Sequence, residues 1–417
     1  MPIRRTAFAS GLRVVSERMP GVRSVAIGFF VGTGSLDEPP DLSGSSHFLE
    51  HLLFKGTGTR SARDIAEAFD AVGGSLNAYT TKDSTVFHAR VLDRDLPLAI
   101  DHLADMLRNS TLRTADVEAE RQVILEEINM YEDAPDELVH DRFQETLWPD
   151  HPLGRPVLGT KASIVAATRA RINAFYRRHY TAGNLVVAVA GSVDHEALLR
   201  LVRRHLEPGR VRGGAPGAQR AAGAPPRPSG RSGIFRRKTE QAHLVLGTNA
   251  PTRNSPERFA FRIVNSALGA GGASRLFQEI REKRGLAYSV YSHHEMYADA
   301  GLVSAYAGTT PARAQEVVDL IRAELDALAR GGLTREEFER GKRQTQGSTL
   351  LSLERPAGRM SRLGRAELAG GDQITVAQVL RRLEAVRYAD ARDLAAEVFA
   401  QPRSLAVIGP FAKGEVA

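Results

Sequence analysis

The chain has 417 residues, 42% hydrophobic and 25% charged, enough for two to four domains with cores of their own. It contains no cysteine, which excludes disulfides and thiolate metal sites and leaves any metal to His, Asp or Glu. The formal charge is +7, but the arginines are dispersed without interleaved aromatics, so no nucleic-acid surface is expected.

The first stretch, "MPIRRTAFASGLRVVSERMPG", lacks a long apolar core and is interrupted by Arg13, so a cytoplasmic protein is expected. No apolar run approaches the roughly 18 residues of a membrane span. "SVAIGFFVGTG", from Ser24, reads as a strand. "SGSSHFLEHLLFKGTGT" reads as a helix, with Ser45 and Ser46 as candidate caps. "SLNAYTTKDSTVFHARVL", from Ser75, has two alternating arms around turn residues and reads as a hairpin. Helical spacing follows from Asp95 and again in "DVEAERQVILEEI" from Asp116, and "NLVVAVAG" from Asn184 reads as a strand.

Residues 207–233, "EPGRVRGGAPGAQRAAGAPPRPSGRSG", have no apolar period and read as a linker. Beyond it the pattern repeats. Strands are expected at "AHLVLGTNA" (from Ala242), "AYSVYSHHEM" (from Ala287) and "GLVSAYAG" (from Gly301). Helices from Arg313 and Thr334 resemble those from Asp95 and Asp116, and "SLAVIG" closes the second half as "NLVVAVAG" closes the first. "LGAGGASR", from Leu268, follows a helical pattern and lacks a P-loop lysine, so it reads as a loop. A period near 200 residues implies duplicated domains. The expected fold is α+β: homologous domains at 1–206 and 234–417, each a mostly antiparallel sheet packed with helices.

Within "HFLEH", His47, Glu50 and His51 share one helical face. Two imidazoles one turn apart can bind one Zn²⁺, with the glutamate reaching its water; this H-x-x-E-H order reverses H-E-x-x-H. Alone, the pentapeptide is also compatible with a polar patch on an ordinary helix. A third ligand is required. Glu120 and Glu127 are two turns apart on a face shared with Ile124 and Ile128, whereas Glu126 is offset by about 100°. In the second half Glu339 and Gln346 stand opposite Glu120 and Glu127, and H-x-x-E-H is missing. Both ligand sets therefore occur in one half only, as in a duplicated scaffold with a single site. His293 and His294 are adjacent on a strand and point to opposite faces, which argues against a second site.

These residues resemble the M16 metallopeptidases, or inverzincins, in the short two-domain branch that includes the mitochondrial processing peptidase. The match runs through "HFLEHLLFKGT", "GGSLNAYTTKDSTVFHARVL", "ERQVILEEI", "HPLGRPVLGT" and "SRLFQEIREKRGLAYSVYS". The resemblance implies one zinc per chain on His47, His51 and Glu127, with Glu50 as general base and Glu120 close behind the ligands. It implies substrate contacts from Arg281 and Tyr288, and from Asn77 and Ala78 on an edge strand. It further implies an endopeptidase acting on unfolded peptides inside a closed chamber, formed here by a homodimer. The alternatives are a non-catalytic M16-like scaffold subunit and a zinc hydrolase acting on small molecules.

Overall fold

The computed structural model describes residues 2–206, 225–412 and 414–416. Two sheets form, each in a compact unit of its own, and both are mostly antiparallel as expected.

The first sheet contains β1 (Ile3–Ala7), β2 (Arg13–Arg18), β3 (Ser24–Val31), β4 (Ser75–Thr80), β5 (Thr85–Leu92) and β6 (Leu185–Gly191). Their order is β1-β2-β6-β3-β5-β4, antiparallel except where β2 runs parallel to β6. The predicted hairpin is β4–β5, registered with Asn77 opposite His88, and β4 is the sheet's edge. Strands β3 and β6 are buried almost throughout, because helices cover both faces. Val25, Ile27, Phe29 and Val31 enter one core, while Ala26 and Phe30 enter the other with Met360 and Leu363.

The second sheet contains β7 (Ser232–Arg236), β8 (Ala242–Asn249), β9 (Ala287–Met296), β10 (Gly301–Thr309) and β11 (Ser404–Gly409). Their order is β7-β11-β8-β10-β9, with β7 parallel to β11. It repeats the first sheet without a counterpart of β1, which is the duplication seen in the sequence.

The contact boundaries differ from the sequence boundaries. Among the described residues, one unit takes 2–129, 156–206 and 351–376, and the other takes the rest. Two helices account for the difference. Pro135–Leu147 lies in the first half of the sequence but packs on β7, β8 and β11. Pro356–Leu368 lies in the second half but packs on β2, β3 and β6. Each follows the long helix of its half and begins with proline, so the repeats exchange equivalent helices. The Pro356–Leu368 helix approaches so closely that a Cβ on Gly28 would fall 2.5 Å from Met360 Sδ. Buried Glu17 holds it through Arg359 at 2.7 Å and Arg362 at 3.1 Å.

Of the expected linker, residues 207–224 lie outside the described residues. Its last part is fastened to the second unit: Ser229 N–H donates to Leu147 O at 3.0 Å, and Asn249 Nδ2 donates to Pro226 O at 2.6 Å. Among the described residues no helix is long and apolar enough to cross a membrane.

Candidate metal centre

The helix Ser45–Leu53 carries the H-x-x-E-H sequence. Its start corrects one expectation: Ser45 and Ser46 do not cap it. The buried carboxylate of Glu38, outside the helix, accepts from Gly44 N–H at 2.7 Å and Ser46 N–H at 2.6 Å. Ser45 Oγ instead donates to Leu42 O at 2.6 Å. A carboxylate at a helix N-terminus satisfies orphan N–H groups and meets the positive end of the dipole. Gly44 is required there: its φ is +91°, and a Cβ would sit 2.6 Å from Leu158 O. Phe48, Leu49, Leu52 and Leu53 are fully buried, so the opposite stripe of the helix holds the two histidines in place.

The third member comes from the helix Thr114–Glu132, which buries Val117, Glu120, Ile124 and Ile128 on one side. Glu127 Oε2 lies 3.6 Å from His47 Nε2 and 3.6 Å from His51 Nε2. His47, His51 and Glu127 form the single group among the described residues able to hold a metal, with all three ligand atoms within 4.8 Å of one another. Glu126 is exposed and its carboxylate contacts Asn129, as the helical offset requires.

The cluster is not explained by ion pairing. Burial, reinforced by His51, pushes the His47 imidazole down to about 3, so the ring is neutral at ordinary pH. A separation of 3.6 Å exceeds a hydrogen bond. Glu127 Oε2 is buried and has no hydrogen-bond partner. A buried carboxylate oxygen facing two imidazole nitrogens is unfavourable without a cation between them. Ligand atoms about 2.0–2.1 Å from one tetrahedral ion are about 3.3 Å apart, close to the observed spacing. The residues therefore fit a zinc-type ion with neutral imidazole and carboxylate ligands.

The surroundings support these ligands. His51 Nδ1 is 3.0 Å from Glu120 Oε2, and Lys55 Nζ is 2.5 Å from Glu120 Oε1. Glu120 is 4% exposed, so it is an enclosed partner rather than a solvated helix edge. Such a carboxylate fixes the tautomer that leaves Nε2 free for metal. Thr80 Oγ1 donates to Glu50 Oε2 at 2.6 Å. Burial pushes the Glu50 carboxyl up, with Glu127 adding to the effect, while the Thr80 hydroxyl and His51 oppose it.

Asn77 and Ala78 lie on β4 as expected, and Asn77 Oδ1 accepts from Ala78 N–H at 2.8 Å. Arg281 and Tyr288 belong to the second unit and meet each other there. The guanidinium stands 4.7 Å from the Tyr288 ring, and Tyr288 is 82% exposed. Neither belongs to the His–His–Glu group. Opposite Glu127 in the repeat, Gln346 bonds Glu384 at 2.7 Å, and His293 and His294 join no metal group. Sequence reasoning missed Glu38, Lys55 and Thr80. Lys55 carried a usable signal, standing four residues after His51; Thr80 did too, sharing a strand face with Ala78.

Residues 13–161 match the family model "Insulinase (Peptidase family M16)", and residues 166–345 match "Peptidase M16 inactive domain". A zinc protease of Streptomyces coelicolor, itself uncharacterised, is 49% identical over 98% of this chain and 90% of its own. The chain belongs to peptidase family M16. Another M16 relative, an uncharacterised zinc protease of Bacillus subtilis, is 39% identical over 98% of both chains. The M16 fold extends to two solved structures. A peptidase M16 inactive domain from Pseudomonas fluorescens has a TM-score of 0.91 at 20% identity, covering all of both chains. A protease from Helicobacter pylori has a TM-score of 0.90 at 23% identity, covering 98% of this chain and 99% of that one. The inactive-domain match falls largely on the half without metal ligands.

Proposed function

We propose that this M16 chain is a zinc-dependent endopeptidase acting on unfolded peptide segments. The observation that carries this reading is the unpartnered Glu127 oxygen facing two histidine nitrogens, one ring held neutral, with Glu50 on the same helix face. His47, His51 and Glu127 would hold one ion. Bound zinc supplies Lewis acidity and lowers the pKa of water to about 7. Glu50, oriented by Thr80, accepts the proton of the attacking water and passes it to the leaving amine. The edge at Asn77 and Ala78 offers backbone groups to an extended substrate, which favours unfolded chains. Tyr288, with Arg281 against its ring, donates to the developing oxyanion. Following what the family resemblance implies, we assign the working form to a homodimer enclosing a chamber, in the cytoplasm.

The competing reading, a non-catalytic scaffold subunit, accords with the inactive-domain match but leaves Glu50, held by Thr80 on the helix of the two histidines, without a role. The deciding experiment combines metal analysis of the purified chain with mass spectrometry of an unstructured peptide library, with and without chelator. Zinc at one per chain and chelator-sensitive internal cleavage support the peptidase. Bound zinc without cleavage supports the scaffold.

A further inference from the structure

His51 meets a carboxylate at each of its two ring nitrogens. Glu120 Oε2 lies 3.0 Å from Nδ1, and Glu127 Oε2 lies 3.6 Å from Nε2. The two glutamates stand two turns apart on the helix Thr114–Glu132 and are chemically the same. An imidazole can ligate through either nitrogen, so the ring alone does not decide which carboxylate shares an ion with it. The difference lies in what each carboxylate already holds.

Glu120 holds a cation of the chain itself. Lys55 Nζ is 2.5 Å from Glu120 Oε1, so both oxygens of Glu120 are engaged, whereas Glu127 Oε2 is buried without a hydrogen-bond partner. Lys55 stands four residues after His51, and its N–H donates to Leu52 O at 3.1 Å. The chain beyond it is fixed. Gly56 has a φ of +123°, and a Cβ there would fall 2.8 Å from Arg60 O. Thr57 N–H donates to Arg60 O at 2.8 Å, and buried Asp105 accepts from Thr57 Oγ1 and Arg60 Nη1 at 2.7 Å each. The Lys55 side chain is 37% exposed and that of Glu120 5%, so the ammonium reaches an enclosed carboxylate from the solvent side. A buried carboxylate needs such a partner.

We propose that Lys55 is a positioning residue of the metal centre: it holds Glu120 on His51 Nδ1, and so directs His51 Nε2 and Glu127 to the ion. The inference rests on the metal reading of His47, His51 and Glu127, and not on peptide cleavage. Two effects of Lys55 on a nearby cation have opposite signs. Its charge repels the cation, so charge alone makes zinc bind more tightly once the ammonium is removed. Its hold on Glu120 orients the His51 ring, so positioning makes zinc bind more weakly after the same change. Positioning is the larger effect, because the ammonium is partly exposed to water and salt and is already paired with Glu120.

The test measures zinc affinity of the intact chain by competition with a chromophoric chelator, with circular dichroism of each zinc-free variant as the check on folding. Lys55→Met is expected to bind zinc about 10-fold more weakly. Lys55→Arg, which keeps a cation on Glu120, should recover most of that loss. Added to Glu120→Gln, Lys55→Met should change nothing further, because no carboxylate remains for the lysine to hold. Unchanged or tighter binding by Lys55→Met overturns the inference, as does a loss that Lys55→Arg does not recover. A loss of equal size on the Glu120→Gln background overturns it too, since Lys55 would then act without Glu120. If Lys55→Met alone does not fold, the Glu120→Gln background, which leaves no unpaired buried charge, decides: equal affinity with and without Lys55→Met supports the role, and a further loss overturns it. Zinc content of the unsubstituted chain is scored separately. One zinc per chain with no effect of Lys55→Met keeps the metal centre and rejects this role, and a chain that binds no zinc rejects both.

Discussion

Thr80 Oγ1 donates a hydrogen bond to Glu50 Oε2 at 2.6 Å, tying the last residue of the edge strand β4 to the carboxylate beside the metal ligands. One hydroxyl thus links the strand proposed to receive substrate to the group proposed to move the proton. Thr80→Val should lower kcat by about 10-fold, the equivalent of one such bond, with zinc content unchanged. Thr80→Ser should restore the rate, because it keeps the hydroxyl. Full activity in Thr80→Val would remove Thr80 from the mechanism.

Glu50 is not part of the His–His–Glu group, so its removal is expected to leave metal binding intact. Glu50→Gln should retain zinc by atomic absorption and lose roughly 10²–10⁴-fold in peptide cleavage, the usual contribution of a general base. Wild-type rates in this variant would assign the proton transfer elsewhere.

Glu127 and Glu126 are neighbours with opposite expectations. Glu127 Oε2 faces both imidazoles, while Glu126 is exposed on another side of the helix. Glu127→Ala should purify without zinc, and Glu126→Ala should keep it. The reverse pattern would overturn the ligand assignment.

Glu120 joins His51 Nδ1 to Lys55 and is almost enclosed. Glu120→Leu removes both contacts and is expected to weaken zinc binding by about 10- to 100-fold, measured by competition with a chromophoric chelator. Unchanged affinity would mean that packing alone orients the His51 ring.

His294 provides a pH-dependent contribution to stability away from the metal. Burial pushes it down to about 4, His293 and Arg262 add to the shift, and Glu295 opposes it. The unfolded chain therefore binds a proton near pH 6.5 that the folded chain refuses until about pH 4. The contribution is fully present above pH 6.5 and is lost as the pH falls through that window. His294→Gln should flatten the dependence of urea midpoint on pH between 6.5 and 4. An unaltered slope would place the acid sensitivity on other groups.

The metal motif was legible because its geometry is local. Three residues within five share a helical face whatever the rest of the chain does, and Glu127 rather than Glu126 follows from the same periodicity. The hairpin with β4 and β5 was legible from alternation, and the strands β3, β6, β8, β9, β10 and β11 from apolar runs. β1, β2 and β7 were not, being short and partly polar. The helix cap was misread because Glu38 reaches it through a turn that composition does not reveal.

Sequence by itself determined the α+β class, the duplication, the restriction of metal ligands to one half, and the membership in family M16 implied by its motifs. These depend on periodicities of two and 3.6 residues and on residue chemistry, which act over short range. Only the tertiary structure decided that the repeats exchange the helices 135–147 and 356–368, and that Glu120 is enclosed by His51 and Lys55. Those facts depend on which surfaces meet after the chain has closed, and no local pattern encodes the partner found across 50 or 200 residues.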